Sequence, residues 1–440
     1  MIETGAPVRA TRHQDGLYDG EDRSLWAELA GTPPTFLHLS GEETCDVAII
    51  GGGLLGLSTA LHLALCGART IVLEAQAPGW GGGGRNGGQV NPGIKAEPEE
   101  VARHLGGEAA ERLVALGDRT ARTAFALIAE HRLDCDPDPS GWINAAHTPA
   151  TLAPIQARAE RWAKRGAPVR VLDRAAIAER TGTTGYQGGL FHPEGGTVNP
   201  LKLARALATR AAEAGAIVTT DTPVVALERL GSVSVLTTPA GRVRAGRVLV
   251  CTNAYTGGLI PGVRKTFLPI NTAQVATDVL PEAISAEILR SGSHVSDSFR
   301  ALYYYRKNAA GRFVIGGAGA TARSGIAGSY DLLRRVAVRF FPCLASVPWT
   351  HAWGGQVALT DSHLPHFLDL GEGVAGVVGF NGRGVALSLT LGPELAAWLA
   401  GGEAVVPVTR PQPVLLQDLK RAVLPLAMRY YLWRDRLEQR

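Results

Sequence analysis

The chain of 440 residues is short of several things, and each shortage excludes a class of protein. Its five cysteines (Cys45, Cys66, Cys135, Cys251 and Cys343) are odd in number and scattered, with no Cys-x-x-Cys pair and no paired Cys/His spacing. That argues against a disulfide framework and a zinc site, so no metal is expected, and it favours reduced thiols in a cytoplasmic setting. Charge of one sign is missing too: 44 basic against 40 acidic side chains leave 44 − 40 = +4, too little to imply nucleic acid. The start, Met1-Ile2-Glu3, shows no basic stretch followed by an apolar one, so no signal peptide is read there. Charged residues make up only 19% against 45% hydrophobic, which excludes a disordered chain. An uninterrupted apolar run is also lacking. Val47 to Ala68 has 22 residues without Asp, Glu, Lys or Arg, but Gly51-Gly52-Gly53 cuts it into a β-branched run and an Ala/Leu-rich helical run, so no transmembrane segment is expected.

Glycine is in excess. It holds 54 of 440 positions, about 12% against a usual share of roughly 7%. The excess is local: 13 glycines fall in residues 51–93 and 7 in residues 371–392, which excludes a collagen-like or low-complexity chain. The length suggests two to three domains.

Residues 1–44 are polar, carry Pro33-Pro34, and read as an arm over the surface. A buried strand (47–50), a glycine turn, a helix (about 54–66) and a second strand (70–73) then form a β-α-β unit of parallel type. Residues 97–135 read as helical, 142–146 as a strand, 150–165 as an amphipathic helix and 182–198 as turns. Asn199-Pro200 carries the residues preferred at a helix start. Strands are expected at 217–219, 223–227, 233–237, 248–251, 273–279, 301–305 and 312–315, a helix at 330–341, and a last strand-to-helix passage from Val374 to about Gly401, bent at Pro393.

Gly51-Gly52-Gly53-Leu54-Leu55-Gly56 is a G-x-G-x-x-G pattern between a strand and a helix. Gly51 permits the tight turn, Gly53 lets backbone approach a pyrophosphate, and Gly56 lets helix pack on strand. Glu74, 18 positions after Gly56 at the end of the second strand, is placed to accept the hydroxyls of an adenosine ribose. A carboxylate there argues against a 2′-phosphate, leaving FAD or NAD. No second nicotinamide-type pattern stands between a strand and a helix, which favours a flavin that stays bound. Pro78 to Gln89, with Gly81-Gly82-Gly83-Gly84-Arg85-Asn86-Gly87-Gly88, is a loop nearly free of side chains with one fixed positive charge at Arg85. Gly379-Phe380-Asn381-Gly382-Arg383-Gly384 precedes a helix whose N-terminus suits the negative charge of a reduced flavin. A glycine-rich linker and a simple strand-to-helix turn are the bland accounts of these two stretches.

In order, Asp46 to Gly53, Gly79-Trp80 through Gly84-Arg85-Asn86-Gly87-Gly88-Gln89, Gly188-Gly189-Leu190 through Gly196-Thr197-Val198-Asn199-Pro200, Thr252-Asn253-Ala254-Tyr255, Gly311-Arg312 and Trp353-Gly354-Gly355 resemble the D-amino acid oxidase superfamily. Within it they resemble the gamma-glutamylputrescine oxidoreductases, over residues 35–402. The resemblance implies an α/β fold with a discontinuous Rossmann-like FAD-binding domain (45–100, 196–262 and 346–410) and a mixed-sheet substrate domain (101–195 and 263–345). The arm (1–44) and a C-terminal helical tail (411–440) complete it. It implies FAD held by Gly51, Gly53, Leu54, Leu55, Gly56, Glu74 and Ala75, by Gly83 to Gln89, and by Val225, Thr252, Asn253, Ala254 and Gly355. Asn381, Gly382, Arg383, Gly384 and Val385 complete that set. It further implies oxidation of the C–N bond of a secondary amine or N-substituted amino acid by hydride transfer to flavin N5, with O2 reoxidising the flavin to give H2O2.

Two departures from the family pattern stand out. Gly82-Gly83 replaces the common Ala-Ser. Residues 353–367 hold no cysteine where monomeric sarcosine oxidases tether their flavin, so FAD is expected to be noncovalent. The lysine those enzymes place near Arg312 to Gly316 is absent as well. Tyr304 and Arg306, on one side of a strand, are the expected substrate pair, with Arg306 as a carboxylate clamp. Trp353 could wall the flavin cavity, and Gln89 and Asn91 could line it. Asp418 to Arg440 carries six basic and three acidic residues, and reads as a helix on a membrane surface or, preferably, one packed on the protein or a second subunit. Monomer and homodimer both stay open. The alternatives are a D-amino acid dehydrogenase feeding a membrane quinone, a nicotinamide-dependent reductase, and a flavin-binding protein without turnover.

Overall fold

The computed structural model describes residues 24–319 and 326–438. Residues 1–23 of the expected arm lie outside them. The chain forms a nine-stranded sheet, an eight-stranded sheet and a small two-stranded one.

The nine-stranded sheet is built on five parallel neighbours: Val374–Val378, Gly241–Val250, Gly41–Ile50, Thr70–Leu73 and Ile217–Thr219. Val47 to Ile50 and Thr70 to Leu73 are apolar almost throughout because both faces of a parallel sheet are covered, and every one of these residues is buried. The stretch that could have passed for a membrane span is therefore strand, turn and the helix Leu54–Leu65. No helix among the described residues is long and apolar enough to cross a membrane.

The eight-stranded sheet runs Trp349–Leu359, Leu268–Val279, Arg312–Ala318, Tyr304–Lys307, His294–Asp297, Trp142–Ala146, Gly188–His192 and Arg170–Leu172. Only His294–Asp297 and Trp142–Ala146 pair in parallel, so the sheet is mixed. The α/β fold with a mixed second sheet is the expected class. Trp349–Leu359 pairs along its length with Leu268–Val279, which puts it in the second sheet although the expected division gave residues 346–410 to the dinucleotide unit.

Several elements differ from the sequence reading. Gly188–His192 is a buried strand inside the stretch read as turns. Its glycines are there for backbone contact, since a Cβ on Gly189 would stand 2.3 Å from the Asn144 carbonyl of the neighbouring strand. The arm is also more than a surface wrap. Its helix Leu25–Ala30 buries Leu25 and Trp26 completely, in a cluster with Ala276, Val314 and Trp353.

Candidate functional site

The parallel strands end at one edge, and the turns that follow them meet there, as in open α/β sheets generally. After Ile50 comes Gly51 with φ +108°, in the region that favours glycine. A Cβ on Gly56 would lie 2.2 Å from the Gly51 carbonyl, so helix and turn touch through backbone, whereas a Cβ on Gly53 meets nothing within 4 Å. Gly53 therefore faces open space at the N-terminus of the helix Leu54–Leu65, where backbone N–H groups are unpaired. At the end of the next strand Glu74 Oε2 accepts the Gly52 N–H at 2.6 Å and Oε1 accepts the Gln76 N–H at 2.9 Å. Burial raises the Glu74 carboxyl above its usual range and these bonds oppose the rise. Thr222 N–H donates to the Glu74 carbonyl at 2.8 Å, which brings the chain just before Val225 beside the exposed Ala75.

From the third strand come Thr252 and Asn253. Asn253 Oδ1 accepts the Gly379 N–H at 2.9 Å and so ties the Thr252–Ala254 turn to the last passage. There Asn381, with φ +51°, bonds Thr360 and the Gly379 carbonyl. Gly384 and Val385 open the helix Gly384–Leu399, with Arg383 at its N-cap and Gly382 facing open space. Two helix N-termini, a carboxylate and several bare glycines thus share one edge, a donor set that fits a dinucleotide with a pyrophosphate.

The Gly79–Gln89 loop lies over this edge. Gly79 N–H bonds the Gly52 carbonyl at 2.9 Å, and a Cβ on Gly83 would stand 3.2 Å from Leu54 N. The absence of a side chain at Gly83 thus lets the loop sit against the fingerprint turn. Asn86 organises the loop, donating to the Gly82 and Gly83 carbonyls at 2.9 and 2.8 Å and accepting from Gly88 N–H at 2.8 Å. Arg85 donates to the Trp80 and Gly354 carbonyls, so its charge is tied to protein backbone, and Gly355 leaves room beside the Arg85 Cβ.

Two of the expected substrate residues are tied into this scaffold. Arg306 is 3% exposed and its Nη1 donates to the carbonyls of Val198 at 2.7 Å, Gly88 at 3.1 Å and Gly87 at 3.4 Å. Its guanidinium also lies over the Trp26 ring at 5.2 Å. Burial lowers it to about 10. With Nη1 on these three carbonyls and Nε on that of Lys307 at 3.3 Å, Arg306 supports the loop. Trp353 is wholly buried and its Nε1 donates to the Arg85 carbonyl at 3.1 Å, so it is a core residue rather than a cavity wall. Tyr304 stays partly accessible, its ring 2.8 Å from where a Cβ on Gly87 would be. It shares its side with Arg306, and both reach Gly87-Gly88.

Beyond Gln89 a buried polar layer joins Gln89 and Asn91, both expected to line the cavity, to a strand that the sequence did not connect with them. Gln89 bonds Ser296 Oγ at 3.2 Å, and Asn91 Oδ1 bonds His294 Nε2 at 2.9 Å. His294 is fully buried and its Nδ1 has no hydrogen-bond partner. Burial holds it well below the ordinary histidine range, and the charges of Arg306 and Arg383 add to that. Its register partner across the sheet is Trp142, and Ser296 pairs with Asn144. The only signal a sequence could offer for these contacts is the two-residue alternation along each strand.

At the far end of the second sheet His147, Asp435 and Glu438 gather their donor atoms within 4.8 Å. Arg300 already bridges both carboxylates there, at 3.0 and 2.7 Å.

Comparison with known proteins places this geometry. The family described as "FAD dependent oxidoreductase" matches residues 46–398. "Probable oxidoreductase OrdL" of Rhizobium meliloti is 33% identical over 92% of this chain and 95% of its own. "Gamma-glutamylputrescine oxidoreductase" of Escherichia coli is 31% identical over 86% and 89%. Among solved structures, glycine oxidase from Geobacillus kaustophilus superposes with a TM-score of 0.67 at 22% identity over 83% of this chain and 97% of that one. Iminodiacetate oxidase from Chelativorans sp. also gives 0.67, at 21% identity, over 83% and 100%.

Proposed function

The chain belongs to the DAO family of FAD-dependent oxidoreductases, and from that membership we propose that it oxidises the C–N bond of a secondary amine or N-substituted amino acid. The imine so formed is hydrolysed by water, and O2 takes the electrons as H2O2. The observation that carries this reading is the meeting of Gly51–Gly56, Glu74 and the N-terminus of the helix Gly384–Leu399 at one sheet edge, beneath the Gly79–Gln89 loop. Similarity to the gamma-glutamylputrescine oxidoreductase of Escherichia coli points to the amine class.

In this reading Glu74 accepts the ribose hydroxyls, with Ala75 and Val225 beside it, and the N–H groups at Gly53, Leu54 and Leu55 take the pyrophosphate. The Gly83–Gln89 backbone, shaped by Asn86 and held from below by Arg306, Trp353 and Trp26, presents N–H groups to the ring. Thr252–Ala254 and Asn381–Val385 place the N-terminus of the last helix toward it, where that helix dipole favours negative charge. FAD, when bound, supplies the two-electron acceptor. Tyr304 and Gln89 border the space left for the amine. Cofactor attachment is read as noncovalent because residues 353–367 hold no cysteine, and Cys251, next to the fingerprint turn, has its thiol pushed up by burial. The cytoplasmic address belongs to the same reading.

The test is anaerobic addition of an amine panel, including gamma-glutamylputrescine, iminodiacetate and sarcosine, to the yellow holoprotein. Loss of flavin colour with at least one of these is expected. Peroxide release in air then separates this reading from a dehydrogenase feeding a quinone. A protein that binds flavin but keeps its colour with every amine sinks the proposal.

A further inference from the structure

We propose that the N-terminal helix Leu25–Ala30 is part of the redox site: Trp26, together with Gln274, Trp353 and Arg306, orients the peptide planes of residues 85–89 so that their N–H groups favour the reduced cofactor. These side chains are positioning residues that act through backbone. The inference deepens the reading above and rests on its FAD, not on its amine.

Four successive carbonyls of the loop are tied to buried donors. The Arg85 carbonyl accepts Gln274 Nε2 at 2.6 Å and Trp353 Nε1 at 3.1 Å. The Asn86 carbonyl accepts Trp26 Nε1 at 2.9 Å, and those of Gly87 and Gly88 accept Arg306 Nη1 at 3.4 and 3.1 Å. Three of these donors rise from one face of the second sheet. Trp353 and Gln274 are register partners, Gln274 stands opposite Gly316, Gly316 opposite Tyr304, and Arg306 lies two residues beyond Tyr304. The fourth, Trp26, comes from the helix that precedes the first strand.

A trans peptide is planar, with its N–H pointing opposite to its C=O. Carbonyls held toward these donors therefore turn the N–H groups of Asn86 to Gln89 the other way. Gly88 N–H is taken by Asn86 Oδ1 at 2.8 Å. Val198 N–H donates to the Gly88 carbonyl at 2.8 Å, which makes Gln89 and Thr197 a non-hydrogen-bonded pair and leaves Gln89 N–H outside that ladder. Gly87 N–H is governed by the Asn86 carbonyl, whose side-chain donor among the described residues is Trp26 alone.

The donors are firmly seated. Trp26, Gln274 and Trp353 are wholly buried. Gln274 Oε1 has no hydrogen-bond partner and stands 3.6 Å from where a Cβ on Gly87 would be, so this amide acts through its NH2 group. Trp26 meets the Trp353 ring edge-on at 5.6 Å and lies under the Arg306 guanidinium. Its helix is clasped by Glu28 Oε2 on His351 Nε2 at 3.0 Å, and by Arg205 Nη1 on the Ala30 and Gly31 carbonyls at 3.2 and 2.8 Å. N–H groups fixed in advance favour an electron-rich ring without reorganising, which raises its reduction potential.

The test is the midpoint potential of the holoprotein, measured anaerobically against a reference dye with no amine present. Trp26→Phe keeps a ring beside Trp353 and under Arg306 but removes the donor. It should lower the ratio of affinities for reduced over oxidised FAD at least threefold, a fall of about 14 mV for a two-electron couple. Gln274→Met, similar in length, should lower the potential by less, since Trp353 still holds the Arg85 carbonyl. Leu25→Val loosens the same buried cluster without touching a carbonyl and should leave the potential unchanged. Flavin absorbance and the thermal midpoint report that each variant is folded. A parent-like potential in Trp26→Phe, or in Gln274→Met where only that variant keeps FAD, overturns the inference, as does an equal fall in Leu25→Val. Because no amine is added, these outcomes are distinct from failure of the amine-oxidation reading.

Discussion

Replacing Glu74 by glutamine tests the cofactor site at its most specific point. In the structure the two carboxylate oxygens each accept one backbone N–H, from Gly52 at 2.6 Å and Gln76 at 2.9 Å. An amide offers one oxygen, so one of these N–H groups must face an NH2 and lose its partner, at a cost of about 1–3 kcal/mol. The ribose hydroxyls would lose a charged acceptor, a further change of about 1.5–3 kcal/mol in the bound state. Only the second effect separates bound from free protein, so the expected loss of FAD affinity is about 10- to 150-fold. The assay is titration of flavin-free protein with FAD, followed by quenching of flavin fluorescence, with FMN as the control that lacks the adenosine. FMN affinity should change by less than about threefold, since its ring and single phosphate do not reach Glu74. An FAD constant within twofold of the parent value, or an equal loss for FMN, would refute the assignment of Glu74 to the ribose.

Three further outcomes follow from the packing. Gly56→Ala sets a Cβ 2.2 Å from the Gly51 carbonyl, so the helix must leave the turn; purified protein should be colourless and about 1–3 kcal/mol less stable by denaturant titration. Trp26→Phe removes the N–H donated to the Asn86 carbonyl at 2.9 Å but keeps an aromatic face under Arg306; stability should fall by about 0.5–1.5 kcal/mol and FAD should dissociate faster, measured by stopped-flow release. The bonds from Arg300, then Arg434 and His147, hold the Glu438 carboxyl down at about 2 against an ordinary 4.5. A depressed acid stabilises the fold fully above 4.5 and loses that contribution as pH falls toward 2, so in this window the C-terminal helix should become cleavable by pepsin before the rest of the chain unfolds.

The sequence alone determined the dinucleotide half of this protein. Glycines 51, 53 and 56 and the Glu74 carboxylate are legible because they lie within one β-α-β unit, where spacing along the chain fixes spacing in space. The Gly379–Gly384 turn was legible for the same reason, as a strand running directly into a helix. Roles in the second sheet were not, because its eight strands come from distant stretches and one residue type serves either function or packing. Arg306 and Trp353 have the chemistry of substrate residues, and only burial and their bonds to loop carbonyls show that they hold the loop. Arg158 and Arg383 stand far apart along the chain, and no periodicity connects them. Tertiary structure decided that both meet the strand Trp142–Ala146, Arg383 over the Trp142 ring and Arg158 on Asn144 Oδ1, since contact is a property of distance and not of order.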